Sequence, residues 1–207
     1  LDGANTSVNI ESAVDALAAG VHAISDPDVA QLGRGFPHDD YLVCLSEAML
    51  QLVIQGQPDD YFVKEHVALW GIDQFWNLPH NPRVPYYRAG GANLGNRKKL
   101  FHFVIPMFPE NWLDKKAASE YAQRLEAGVA PSAVSISLLD IKEPADWHGE
   151  IDTTEHWVFS HFFIDGHHKA CAAHQAGRPV RLLNFISCTR GISTRDEIEQ
   201  AARASAA

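Results

Sequence analysis

Five consecutive residues carry the densest chemistry in the chain. They are Asp165, Gly166, His167, His168 and Lys169, inside "HFFIDGHHKACAAHQAG". An aromatic, β-prone run ends at Asp165-Gly166, and an alanine-rich helical pattern follows at once. A helix start presents backbone N–H groups without intrahelical partners, and the macrodipole adds partial positive charge there. A glycine lets a bulky anion approach the backbone. Gly166, His167 and His168 are therefore expected to form a seat for a phosphate or carboxylate, with Lys169 adding a full positive charge. Asp165 is expected to face the same space, holding a metal, orienting a hydroxyl or acting as a base. The competing reading is an ordinary Asp-Gly turn with solvated histidines.

Other residues could join that chemistry. Asp140 and Glu143 follow the strand pattern "SAVSISLLDI" and are candidates for a general base facing the junction, or for holding Mg²⁺ with a nucleotide. The simpler reading is a solvated loop. Trp147, in the acidic stretch "KEPADWHGEIDTTE", either stacks on a ring or anchors that loop. In "RAGGANLGNRKK", Gly90 and Gly95 have the spacing of a P-loop, but the lysine and hydroxyl that mechanism needs are missing. A mobile glycine loop is expected, with Arg97, Lys98 and Lys99 able to close over an anion. His161 shares a strand face with Trp157, Phe159 and Phe163, which favours a packed core histidine over a ligand. His156, His161, His167 and His168 are not read as a metal set.

The candidate catalytic groups are thus Asp165, His168, Asp140 and Glu143. The candidate anion- or cofactor-binding groups are Gly166, His167, His168 and Lys169.

The elements that must position them divide the chain in two. Region 1–100 reads as helical, packed on the rest without a flexible linker. "NIESAVDALAAG" places Ile10, Val14 and Leu17 on one face. "DDYLVCLSEAMLQLVIQG" places Leu42, Leu45, Met49 and Leu52 at helical spacing, with Asp39 or Asp40 as cap. "DDYFVKEHVALWG" repeats that grammar from Asp59 or Asp60. Three prolines in 77–88 mark a loop. Region 101–190 alternates strand, helix, strand, strand, helix, strand, an α/β (α+β) pattern around a small mixed sheet. Its first helix runs from an Asp114 cap to Gly128. Region 191–207 is a polar tail that either forms a terminal helix or frays.

Composition narrows the function classes. The chain has 207 residues and a formal net charge of −9. That balance opposes strong nucleic-acid binding and gives no support to an anionic membrane partner. No apolar run reaches the length of a membrane span. Three cysteines without paired spacing and no visible signal peptide favour a reducing, cytoplasmic setting.

Over 105–187, "YAQRLEAG", "SAVSISLL" and "HFFIDGHHKACAAHQAGRPVRLLNF" together resemble the ParB/sulfiredoxin family. The "IDGHHK" core is the moderately specific part of that resemblance. It implies a ParB/sulfiredoxin-type sheet and a nucleotide pocket taking ATP, ADP or CTP, with Mg²⁺. In it the residues matching Gly166 to Lys169 contact phosphates, and Asp165 matches the acidic position of a kinase-like branch. Lys169 stands where the family often has Arg, which replaces a bidentate contact with a point charge. His167 stands where sulfiredoxins need cysteine, so sulfinic-acid reduction is not expected. No DNA-binding segment follows the domain, which disfavours a partition role.

Two expectations remain side by side. One is a phosphotransferase or nucleotide hydrolase acting on a small molecule. The other is a non-catalytic module that binds a small anion for regulation or assembly. The N-terminal region either covers the pocket or makes a homodimer.

Overall fold

The computed structural model describes residues 33–54, 57–62, 85–128, 132–143 and 155–205. Seven strands form one mixed sheet: β1 (Tyr41–Ala48), β2 (Gln51–Val53), β3 (Tyr86–Gly95), β4 (Lys98–Ile105), β5 (Ser132–Lys142), β6 (Glu155–Asp165) and β7 (Val180–Ser187). Their order across the sheet is β1-β7-β5-β6-β4-β3-β2. Among the described residues three helices accompany them: α1 (Lys115–Glu126), α2 (His167–Ala176) and α3 (Arg195–Ser205). A single 3-10 turn, Glu110–Trp112, precedes α1. This is a mixed α/β fold, and from β4 to β7 it follows the element order expected from sequence.

The helix expected over 39–56 is replaced by β1 and β2. The reason is packing on both faces. Leu42 and Cys44 pack beside Ile186 on one side of the sheet, and Tyr41, Val43 and Leu45 pack beside Phe185 on the other. A strand apolar on both faces loses its period-two signature, and helical spacings then arise by coincidence. Asp39 caps no helix. It accepts hydrogen bonds from Ser187 and Thr189 and pairs with Arg190. Asp60 accepts from the Phe62 amide and the Tyr86 hydroxyl. The helix expected over 9–20, most of the one expected over 59–71, most of 77–88 and the acidic stretch around Trp147 lie outside the described residues.

One face of the sheet carries two apolar clusters. α1 and α2 cover the first with Leu125, Ala170 and Ala173 against Phe163, Val180 and Leu182. α3 covers the second with Ile198 and Ala201 against Trp157, Phe159 and Ile186. Local signals set the helix ends. Asp114 caps α1 by accepting from the Lys116 amide at 2.8 Å. Thr194 and Glu197 form a reciprocal capping box at the start of α3, so the tail is an ordered helix. The Gly90–Gly95 segment is the end of β3, not a mobile loop. Asn96 and Arg97 turn it into β4, both at positive φ, as a tight hairpin requires. Among the described residues no helix is long and apolar enough to cross a membrane.

Candidate functional site

The junction between β6 and α2 has the form the sequence suggests. β6 ends at Asp165, Gly166 takes a left-handed conformation (φ 105°), and α2 starts at His167. Its side chains are engaged differently from the expectation. Lys169 does not face an open anion seat. It is buried, with Nζ donating to the Ser132 carbonyl at 2.8 Å and lying 3.1 Å from Asp165 Oδ2. The two groups expected to handle a phosphate and a proton are paired with each other.

The two histidines hold a loop. The Met107 amide donates to His167 Nε2 at 3.0 Å, and the Asp114 amide donates to His168 Nε2 at 2.9 Å. Residues 106–114, which join β4 to α1, are thereby tied to the start of α2 near both their ends. The His167 ring also stacks on Phe108, with centroids 3.7 Å apart. An imidazole nitrogen that accepts a hydrogen bond has no proton, so neutral His167 carries its proton on Nδ1. Burial lowers its pKa to about 4, and His168 adds to that, while Asp165 acts in the opposite direction.

Asp140 and Glu143 are not at this site. Strand register places Val134 opposite Asp165 and Asp140 opposite Val158. Six residues of strand separate the two levels, about 20 Å. Asp140 instead accepts from the Ile192 amide at 2.9 Å, fastening the segment before α3. The hairpin with Arg97, Lys98 and Lys99 is also at the far end of the sheet, because Lys98 pairs with Glu155 at the opposite end of β6 from Asp165. Neither a base from Asp140 or Glu143 nor a basic clamp from the hairpin reaches the junction. Among the described residues no group of three or more His, Cys, Asp or Glu is arranged to hold a metal.

The junction does border a cavity of about 140 Å³. Leu52, Phe108, Leu113 and Phe163 supply apolar wall, and Tyr87, His167, Cys171, His174 and Gln175 supply the polar part. Of the residues expected to seat an anion, His167 alone lines it. Cys171 and His174 are additions that the sequence reading missed. The signal was present: His167, Cys171, His174 and Gln175 recur at helical spacing and share one face of α2, while the alanines occupy the other. His174 Nδ1 lies 2.9 Å from the Leu50 carbonyl. A carbonyl only accepts, so that nitrogen carries the proton and Nε2 of the neutral ring is an acceptor. Among the described residues the lining contains no carboxylate, ammonium or guanidinium group.

No family model, no curated protein and no solved structure matches the chain. That finding overturns the ParB-like and sulfiredoxin-like reading, together with the nucleotide and phosphate binding drawn from it. The paired Lys169 gives the physical reason at the site itself.

The loop clamps have a testable consequence. His168→Ala removes the acceptor for the Asp114 amide and should destabilise the fold by about 1 kcal/mol. In hydrogen–deuterium exchange the amides of 107–114 should exchange faster, while those of β5 and β7 keep wild-type protection. His167 adds a pH dependence of definite sign. Its folded pKa lies below the ordinary value near 6.5, so the unfolded chain binds the proton first. Its contribution is complete above about pH 6.5 and is lost as pH falls toward about 4. Protection of the loop that does not weaken over that window would contradict the clamp.

Proposed function

We propose that this protein binds a small, uncharged, largely apolar molecule in the cavity between α2, the 106–114 loop and the β2–β3 edge. The observation that carries the reading is the cavity and its lining. Its volume is close to the ~150 Å³ in which an engineered apolar cavity holds a benzene ring. Apolar walls with a few placed polar groups are the ordinary composition of a ligand site. Among the polar groups here are two histidines of complementary character, His167 and His174. His167 offers a proton on Nδ1, and neutral His174 offers a lone pair on Nε2. A ring or short chain bearing one hydroxyl or carbonyl suits that pairing. A carboxylate or phosphate would meet no countercharge among the described lining residues, which low-dielectric surroundings penalise. The lining supplies hydrogen bonds and contact area, and this favours a binding module over a group-transfer enzyme.

Calorimetry with phenol, benzyl alcohol, toluene and benzoate tests the reading. Phenol and benzyl alcohol should bind, toluene more weakly by the loss of a hydrogen bond, roughly 3- to 10-fold. Benzoate at neutral pH should bind least. Cys171→Phe places a ring inside the cavity and should abolish binding of all four while the fold is retained. Equal heats from wild type and Cys171→Phe would show that the cavity is not the site.

A further inference from the structure

Away from the cavity, the same sheet face carries a row of buried polar side chains. It lies between the apolar cluster under α2 and the one under α3. The row starts at the Ala201 carbonyl, 2.7 Å from Ser205 Oγ, and Ser205 Oγ is 3.1 Å from His102 Nε2. His102 Nδ1 is 3.1 Å from His161 Nε2, and His161 Nδ1 is 2.8 Å from Ser137 Oγ. Ser137 Oγ is 3.1 Å from Ser135 Oγ, which is 2.7 Å from Asn184 Oδ1. His161, Ser137, Ser135 and Asn184 are almost wholly inaccessible to solvent.

Both ends of this row accept and cannot donate. Ala201 contributes a carbonyl. Asn184 is fixed in orientation because its Nδ2 donates to the Leu182 carbonyl at 3.1 Å and to Ser46 at 2.9 Å, which leaves Oδ1 facing Ser135. Between the ends stand three hydroxyls and two imidazoles, each with one proton when neutral. Six contacts therefore share five protons. However the tautomers are arranged, one contact has lone pairs facing each other. It belongs among the three contacts at 3.1 Å, since the other three are shorter.

We propose that this row is a binding site for one proton, completed when His102 and His161 together become a single shared imidazolium. One added proton gives every contact a donor. A second would set two donors against each other. The filled row runs unbroken from the last turn of α3 to β7, so proton uptake fastens α3 to the sheet. Burial opposes it, lowering the pKa of His102 to about 4 and holding that of His161 well below its ordinary value, with the charge of His102 adding to the second effect. The groups packed around the rings are Phe159 from β6, Ser137 from β5 and Ser205 from α3. Cys44 from β1 adjoins Asn184 at the far end, and burial raises its pKa to about 11, so it stays a neutral thiol. The charge acting on His161 comes from His102 alone among the described residues, and completion of the row is what works against burial.

A ¹⁵N-histidine NMR titration of the whole chain tests this. In wild type, the two rings should take up one proton between them, with coupled shifts, before the fold is lost. Ser135→Ala touches neither ring, but it shortens the row to four contacts that share four protons. The proton affinity of the pair should then fall about tenfold or more. Ser137→Ala, which ends the row at His161, should do the same if Ser135→Ala does not fold. Uptake of two protons, or of none before unfolding, in wild type overturns the proposal. So does an unchanged titration in a folded serine variant.

Discussion

Gly166→Ala should destabilise the fold by about 2–5 kcal/mol, by strain and overlap together. Gly166 has φ 105° and ψ 13°, a conformation that side chains rarely adopt. An added methyl would also lie 2.4 Å from Ala133 Cβ and 2.9 Å from Ala133 Cα. Neither atom is the free end of a flexible side chain, so relief requires the start of α2 to move off β5. That displaces His167 and His168 and with them the loop they hold. For a chain of this length the loss corresponds to a fall in Tm of roughly 5–15 °C. Gly177→Ala is the control. Gly177 also has positive φ, 59°, but an added methyl meets nothing within 4 Å. It should lose only the conformational part, about 1 kcal/mol. Equal losses at the two sites would mean that close approach to β5 contributes nothing.

Elements with local punctuation were legible in the sequence. Asp114 and Gly128 bracket α1, Gly166 and Gly177 bracket α2, the aromatic run before Gly166 is β6, and the apolar run after Gly177 is β7. β1 was not legible, because its Leu-rich run is packed on both faces and mimics helical spacing. The order at the C-terminus was signalled by Thr194 and Glu197, a capping box that composition alone hides behind polar residues. The pair His167-His168 stood out correctly as unusual, but its role depends on Met107 and Asp114, more than fifty positions earlier. No feature within "DGHHK" distinguishes a histidine that binds an anion from one that accepts a backbone amide. The proton row was least legible of all. His102, His161, Ser137, Ser135 and Asn184 lie on four strands, and only the register of the sheet brings them into line.

The second large effect is expected at Asp165, in a role unlike that of a catalytic acid. Lys169 is buried at the side-chain level, with 9% exposure, against 38% for Asp165. Its ammonium has the Asp165 carboxylate, the Ser132 carbonyl and, at 5.7 Å, the Tyr121 ring. Asp165→Ala leaves that cation buried with the carbonyl and the ring. Breaking a buried pair in this way costs about 3–5 kcal/mol when both partners are desolvated. Asp165 is partly solvated, and screening reduces the expected loss to about 1–3 kcal/mol. Lys169→Met keeps most of the stem volume and removes the cation, leaving a carboxylate that water can reach. It should therefore cost less than Asp165→Ala. The double variant should be at least as stable as Asp165→Ala alone, because the second change removes the uncompensated charge created by the first. Urea unfolding of the three variants measures this order. Strict additivity, with the double variant losing the sum of both, would show that the two side chains act independently and that the pair does not hold the β6–α2 junction.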